Sequence, residues 1–148
     1  KDGKPFKTRD GGVMRLEVLL KDIQEEMFKK ITGNHDIDPD EAKEISEIVG
    51  LAAVKYGDLS NQATKDYIFD IDKFTSFEGN TGPYILYTIV RIKSILNKYM
   101  EQGGSENTKL IPAANATEKA LSLELTKLHT MIATAYSELA PHKICAYI

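Results

Sequence analysis

The chain has 148 residues, a formal net charge of -3 and 28% charged residues, which is an ordinary globular composition with room for one domain, or one small domain plus an appendage. The acidic balance excludes a bulk positive field, so any nucleic acid would have to bind a local patch. A single cysteine, Cys145, excludes an intramolecular disulfide framework and fits a reducing compartment. Its place in an apolar run predicts a packed thiol rather than a nucleophile. The apolar runs are too short to span a bilayer, so we expect no membrane partner.

Both ends of the chain indicate a longer protein. Lys1–Pro5 is a polar loop without an initiator Met. The apolar run Ile144–Ile148 follows Pro141, which suits the first turn of a helix, and no helix stop signal comes after it. We therefore expect an internal or truncated segment; the alternative is a protein with a docked, apolar C-terminus.

Apolar residues recur at helical spacing in two early segments. The first predicts a helix from about Leu16 to Ile31. Asp38 and Pro39 have the pattern of an N-cap and a first helical position, so a second helix should begin there and close at Gly57. Gly50 lies inside this second helix, which predicts a close contact with another helix at that point.

An alternating apolar pattern at Tyr67, Phe69 and Ile71 predicts a short strand or extended segment near residues 66–72. Thr81 is the predicted N-cap of a third long helix. Its predicted apolar face is formed by Ile85, Ile89, Ile92, Leu96 and Tyr99. The predicted fold class is therefore mainly α, with helices and this one short extended segment.

A further helix is predicted from near Thr117 to about Leu139, after a loop that contains Asn115 as a loop or capping residue. Its predicted buried face is formed by Leu121, Leu125, Leu128, Ile132 and Leu139.

Residues 1–12 form a basic loop in which Lys1, Lys4, Lys7 and Arg9 outnumber the one acid among the first nine residues. Cations on a flexible, glycine-bounded loop can close over a polyphosphate and stabilise the charge that develops during nucleotidyl transfer. The alternative is a solvated basic loop without a ligand.

A second candidate site lies on the helix after Pro83. Spacings of three, four and seven residues place Tyr84, Tyr87, Arg91 and Lys98 on one helix face. From Pro83 to Met100 there are three basic residues and no acid. Aromatic rings interleaved with cations suit unstacked bases and phosphates. The alternative is a half-buried tyrosine edge beside solvated charges.

No metal site is predicted. The three histidines, His35, His129 and His142, are scattered without ligand spacing. The acidic residues around Asp38 partly match a calcium loop, but Glu41 occupies the position that requires glycine, so helix capping is the preferred interpretation.

Together these segments resemble the arginyl-tRNA synthetase family, class I aminoacyl-tRNA synthetases, in its bacterial form. Lys4–Gly12 and the helix that follows look like the family's version of the class I Lys-Met-Ser-Lys-Ser loop. The resemblance covers essentially the whole chain. The other segments that carry it are Ala53–Ser60, Asp66–Asp72, Ser76–Tyr84 and Pro141–Tyr147.

The resemblance implies three parts: residues 1–12 as the rim loop of the catalytic domain, 13–80 as a connecting, tRNA-stem-contacting helical region, and 81–148 as part of the helical-bundle anticodon-binding domain. It implies a cytoplasmic enzyme that activates arginine with ATP, accompanied by Mg²⁺, and transfers the arginine to its tRNA. We expect this chain alone to be inactive, because the family's His-Ile-Gly-His motif and arginine pocket would precede residue 1. The oligomeric state stays open.

The resemblance also implies ATP-phosphate contacts by the basic loop. Pro5 and Thr8 occupy the two lysine positions of the family's loop, so Lys7 and Arg9 are expected as the catalytic phosphate contacts by charge and neighbourhood. The ATP-binding set is completed by Lys4, Gly11 and Gly12.

The second candidate site is expected to contact tRNA through Tyr84, Tyr87, Arg91 and Lys98. Two other interpretations remain open at this point: a stand-alone helical RNA-binding module, and a helical protein-interaction module without catalysis.

Overall fold

A computed structural model of the chain describes residues 15–34, 36–105, 109 and 111–148. Within these ranges the structure is helical and has no β-strand, which confirms the mainly α fold. None of the described helices is both long and apolar enough to cross a membrane. The helices are α1 (Leu16–Asn34), α2 (Pro39–Leu59), α3 (Ile71–Phe74), α4 (Gly82–Glu101), α5 (Ala116–Thr126), α6 (Leu128–Ser137) and α7 (His142–Tyr147).

Packing of α1 against α2 forms the main core. Ile23 and Met27 of α1 and Ala53 of α2 are fully buried. Burial of the two larger side chains contributes about 2 kcal/mol each. Gly50 lies at this helix contact, as predicted, since a Cβ atom there would meet Cγ2 of Ile23 at 3.4 Å and Cα of Gln24 at 3.5 Å, which are ordinary van der Waals distances.

The start of α2 also follows the prediction. The Asp38 carboxylate accepts hydrogen bonds from the backbone N–H groups of Asp40 (3.0 Å) and Glu41 (3.3 Å), and Pro39 occupies the first helical position. These bonds satisfy amides that have no partner inside the helix, so the cap defines where α2 begins.

The predicted role of Gly57 as the end of the second helix is wrong, because α2 continues to Leu59. Gly57 is buried, and a Cβ atom on it would lie 2.5 Å from Cε2 of the Phe74 ring. The missing side chain therefore makes room for Phe74 against α2. Its function is close packing, which local sequence rules do not distinguish from helix termination.

The extended segment predicted near 66–72 ends two residues earlier. Residues 66–70 have neither helix nor strand, and α3 begins at Ile71 because the Asp70 carboxylate accepts from the backbone N–H of Lys73 at 3.3 Å. The predicted alternation is confirmed at Phe69 and Ile71 but not at Tyr67, which is 40% exposed. Phe69 and Ile71 pack against the core, whereas Ile68 between them is 78% exposed.

The described chain divides into two compact units, the first ending at Ile89 and the second running from Val90 to Ile148. The boundary falls within α4, so Tyr84 and Tyr87 belong to the first unit and Arg91 and Lys98 to the second.

In the second unit, the continuous helix predicted from Thr117 to Leu139 is wrong. The structure has two helices, α5 and α6, separated at Lys127. The Lys127 backbone N–H bonds to the carbonyl of Glu124 at 2.9 Å, a tighter turn than an α-helix makes. Asn115 caps α5, because its side chain accepts from the backbone N–H of Glu118 at 2.9 Å. This confirms the capping role, one of the two predicted for Asn115.

The predicted buried face of this region is also wrong. In the described part of the second unit, the buried residues are small and lie where α6 meets α7. No described element of this unit therefore covers the predicted face. Those buried residues are Ala135, Ala140 and Cys145. The five predicted core residues are exposed instead: Leu121 61%, Leu125 61%, Leu128 43%, Ile132 48% and Leu139 83%.

The packed thiol predicted at Cys145 is confirmed by its burial on α7. The same helix is joined to α5 by the Tyr147 hydroxyl, which donates to the carbonyl of Glu124 at 2.6 Å.

Leu139 lies in a left-handed backbone conformation, with φ of 51°, just after α6. Its N–H bonds to the carbonyl of Tyr136 (3.2 Å), and the N–H of Ala140 bonds to that of Ala135 (2.8 Å). This pair of bonds is a Schellman motif, in which glycine usually occupies the left-handed position.

We expect Leu139→Gly to raise the free energy of unfolding by about 1 kcal/mol, because glycine removes the steric cost of a left-handed leucine and the exposed side chain loses little packing. Thermal and urea unfolding would measure the change. Ser137→Gly, in the last turn of α6, is the control and should destabilise, since its backbone gains nothing from glycine. A lower melting temperature for Leu139→Gly would contradict the prediction.

Candidate nucleic-acid interface

The first turn of α4 is held by Thr81, the predicted N-cap. Its Oγ1 accepts from the backbone N–H of Tyr84 at 3.2 Å and donates to the carbonyl of Ser76 at 2.6 Å. The Thr81 carbonyl accepts the helical bond from the N–H of Ile85 at 3.1 Å. One buried hydroxyl therefore closes the loop of residues 76–81, here called the capping loop, and begins the helix.

The position of the α4 N-terminus is determined by close packing on α2. Gly82 and Pro83 are buried, and a Cβ atom on Gly82 would lie 2.3 Å from the carbonyl oxygen of Ala52. The backbones of α4 and α2 therefore meet at a distance that excludes a side chain at residue 82.

The four predicted RNA-contacting residues all lie on α4. Tyr84 and Tyr87, in the first unit, are 41% and 49% exposed, and Arg91 and Lys98, in the second, are also exposed. Ideal helical spacing places Tyr84 and Tyr87 within about 60° of each other around the helix axis, and Arg91 and Lys98 within about 20° of each other. The first turn of α4 contains no acidic residue, and its last turn contains Lys98. The helix thus presents aromatic rings and cations without acidic side chains beside the tyrosines.

The apolar face predicted on the same helix is half-buried at Ile85 and exposed at its other members. Ile89 is 43% exposed, and beyond the boundary Ile92, Leu96 and Tyr99 are 53%, 56% and 50% exposed.

The capping loop is a compact turn with an exposed aromatic side chain. The Ser76 hydroxyl accepts from the N–H of Glu78 at 3.1 Å, and Gly79 has a φ of 76°, which favours glycine. Phe77 is 41% exposed. From α2, the Tyr56 hydroxyl donates a hydrogen bond to Oδ1 of Asn80. The loop is therefore closed by its own residues and joined to α2 at Asn80.

A second tyrosine hydroxyl joins the extended segment to α2. The Tyr67 hydroxyl donates to Oδ1 of Asp58 at 2.8 Å, and the Tyr67 ring stacks on Phe74 with centroids 6.1 Å apart. Burial, followed by the hydrogen bond to Asp58 and the charge of that carboxylate, raises the pKa of Tyr67 to about 12. The phenol therefore stays protonated and remains a donor at neutral pH.

A third link joins α1 to the residue after α3. Nζ of Lys30 donates to Oγ1 of Thr75 at 2.7 Å, and that hydroxyl donates to the carbonyl of Ile71 at 2.7 Å. Thr75 is fully buried. Neither this pair nor the Tyr56–Asn80 pair was predicted from the sequence, because 45 and 24 residues separate the partners and no local pattern reports such contacts.

The other predicted site lies outside the described residues, since Lys4, Lys7, Arg9, Gly11 and Gly12 all fall within residues 1–14. In the described ranges no group of three or more His, Cys, Asp and Glu side chains is arranged to hold a metal ion. A cleft of about 720 Å³ opens beside the capping loop, lined in part by Asn61, Lys73 and Asn80.

Two family models match consecutive parts of the chain. Residues 1–71 match the family described as tRNA synthetases class I (R), catalytic domain. Residues 85–148 match the DALR anticodon binding domain.

Curated relatives match along the whole chain. The arginine–tRNA ligase of Agathobacter rectalis is 64% identical over 157 aligned residues, which cover 100% of this chain and 26% of the relative. That of Alkaliphilus oremlandii is 54% identical over 148 residues, covering 100% of this chain and 25% of the relative. The chain thus spans about a quarter of the length of these relatives.

Among solved structures, the chain is similar to Thermus thermophilus arginyl-tRNA synthetase, with a TM-score of 0.74 and 27% identity over 92% of this chain and 22% of that one. The family models, the curated relatives and the solved structure thus agree with the resemblance that the sequence motifs indicated. The chain belongs to the arginyl-tRNA synthetase family.

Proposed function

We propose that the whole protein containing this chain is an arginine–tRNA ligase, which activates arginine with ATP and transfers it to its tRNA in the cytoplasm. The observation that carries the proposal is the match to curated arginine–tRNA ligases along the entire chain, at up to 64% identity. That match disfavours a stand-alone module without catalysis. ATP and arginine are the small substrates, and Mg²⁺ enters with the ATP as part of that substrate.

In this proposal the chain supplies three working parts. Residues 1–12 are the rim loop of the catalytic domain, 13–80 the connecting region that contacts the tRNA stem, and 81–148 part of the anticodon-binding domain. Support comes from the order of the two family models, a catalytic domain followed by an anticodon-binding domain.

The basic loop binds the phosphates of ATP. Lys7 and Arg9 neutralise charge that develops as the α-phosphate is attacked by the arginine carboxylate and pyrophosphate leaves. Lysine acts as a point charge and arginine as a two-pronged donor to phosphate oxygens. Lys4 adds a further cation, and Gly11 and Gly12 let the backbone approach the phosphates.

Charging of tRNA tests the function. The full-length protein is expected to transfer radiolabelled arginine to arginine tRNA in an ATP-dependent reaction, and lysine or glutamine should not replace arginine. Failure to charge this tRNA, or faster charging with another amino acid, would reject the proposed function.

The face of α4 binds tRNA. Tyr84 and Tyr87 provide rings on which unpaired bases stack, and Arg91 and Lys98 contact phosphates. The support is the exposure of all four side chains, together with the absence of an acid from Pro83 to Met100.

We expect the variant Tyr84→Ala/Tyr87→Ala/Arg91→Ala of the full-length protein to bind arginine tRNA about 100-fold more weakly, because each lost stack costs about 1–3 kcal/mol. The loss of one phosphate contact should also lower the slope of log K against log salt by about one. Fluorescence anisotropy at several salt concentrations would measure both quantities.

The matched control is Tyr84→Phe/Tyr87→Phe, which keeps both rings and should retain tRNA affinity within about threefold. Unchanged affinity and salt slope in the triple alanine variant would remove α4 from the interface. The charging activity would then stand without this part of the proposal.

A further inference from the structure

We propose that Tyr56 is a positioning residue for tRNA binding, which acts by holding Asn80 and through it the capping loop in front of α4. This inference rests on the proposed function and names a residue in α2 that need not touch RNA itself. All the residues involved lie in the first unit.

The capping loop leads directly into the proposed binding face. Its last residue, Thr81, caps α4 and accepts from the backbone N–H of Tyr84. The loop also carries Phe77, whose 41% exposure equals that of Tyr84. Any shift in the loop therefore changes the place of two exposed aromatic rings, one in the loop and one in the first turn of α4.

Two kinds of contact fix this region. The base of the loop is buried, with the Thr81–Ser76 hydrogen bond and the backbone of Gly82 against Ala52. The outer residues, 77–80, are exposed and gain little from packing. At this outer part, the Tyr56 hydroxyl donates to the Asn80 side chain.

Tyr56 is suited to this task by its place in α2. Tyr56 lies one helical turn after Ala52, the residue that the start of α4 contacts. The next residue is Gly57, on which Phe74 packs. The same stretch of α2 thus contacts the start of α4, the Phe74 ring and the capping loop. Because the Tyr56 ring is half-buried, its hydroxyl is held at the surface in a fixed direction.

A hydrogen bond at such an exposed place contributes little to the free energy of unfolding beside the buried contacts of the core. Its main consequence is therefore the conformation of the loop. A loop that samples other conformations must be ordered when RNA binds, and that entropy is subtracted from affinity.

The test is Tyr56→Phe in the full-length protein, which removes the hydroxyl and keeps the ring. We expect the KM for arginine tRNA to rise about fivefold, the effect of one hydrogen bond, with kcat and the KM values for ATP and arginine within twofold of wild type. Tyr67→Phe is the matched control. It deletes the other tyrosine hydroxyl that reaches α2, through Asp58, but leaves the capping loop attached, so its tRNA KM should be unchanged.

Tyr56→Phe/Asn80→Ala separates positioning from direct RNA contact by Tyr56. If Tyr56 acts through Asn80, the double variant has the same tRNA KM as Asn80→Ala alone, because the bond is already absent. Additive increases would overturn the proposal, as would an unchanged KM in Tyr56→Phe or an equal rise in Tyr67→Phe. Melting temperatures are measured in parallel, and a Tyr56→Phe variant that is less stable but normal in KM has only a structural defect, which also overturns it.

The two proposals fail separately. A wild-type protein that does not charge arginine tRNA rejects the proposed function and this inference with it. Normal wild-type charging with a normal Tyr56→Phe KM rejects only the inference.

Discussion

Gly82→Val is expected to lower the free energy of unfolding of the first unit by about 3 kcal/mol, the upper range for forcing extra atoms into a packed site. The reason is geometric. A Cβ atom at residue 82 would lie 2.3 Å from the carbonyl oxygen of Ala52 and 2.9 Å from the backbone N of Ala53. Backbone atoms inside a helix cannot move aside as a flexible side chain can, so α4 itself must shift.

Circular dichroism during urea and thermal unfolding would measure this loss. Gly33→Val is the matched control, since nothing lies within 4 Å of a Cβ atom at residue 33 near the end of α1. Valine has a higher helix propensity than glycine, so this control should be neutral or slightly stabilising. Equal stability of Gly82→Val and the wild type would show that Gly82 does not lie in close contact with the carbonyl of Ala52.

Because Gly82 lies two residues before Tyr84, the surviving folded fraction of Gly82→Val should also bind arginine tRNA more weakly. Valine at residue 82 displaces the first turn that orients the Tyr84 ring. Normal affinity per folded molecule would separate the close packing at Gly82 from the proposed interface.

The double variant Lys7→Ala/Arg9→Ala of the full-length protein is expected to lower the rate of arginine activation by about 100-fold, the scale seen when charge-stabilising donors are removed from a transition state. The effect should fall on kcat, because negative charge develops on the departing pyrophosphate in the transition state. The two cations therefore stabilise the transition state more than they stabilise bound ATP. The KM for arginine should change less than threefold, since the role proposed for the two cations is at the ATP phosphates.

Arginine-dependent pyrophosphate exchange, measured with tRNA present, would report both constants. Lys1→Ala removes a neighbouring cation of the same basic loop and serves as the control for net charge. A loss confined to arginine affinity, or an equal loss in Lys1→Ala, would contradict the phosphate role of Lys7 and Arg9.

Local rules predicted a large part of the fold. The helical spacing of apolar residues indicated α1, α2 and α4, and the capping chemistry of Asp38 and Thr81 located two helix starts to the residue. These features depend on neighbours within four positions, which is the range over which helix hydrogen bonds and caps act.

Local rules failed where a residue's partner was distant in sequence. Gly57 has the pattern of a helix stop, yet it packs beneath Phe74, seventeen positions on. The leucines of α5 and α6 have the periodicity of a buried face, yet the described residues leave them exposed. Periodicity reports which side chains share a face, but burial requires another element to cover that face.

The candidate site likewise has features that were predictable from local spacing and features that depend on contacts between distant residues. Tyr84, Tyr87, Arg91 and Lys98 could be placed on one helix face from their spacing alone, because 3.6 residues complete a turn in any α-helix. The close approach of Gly82 to Ala52, the Tyr56–Asn80 bond and the Lys30–Thr75 bond required the tertiary structure. The sequence by itself determined which chemical groups this face presents. Only the packing of α1, α2 and the capping loop decided where the face begins, because contacts between distant residues exist only after the chain has folded.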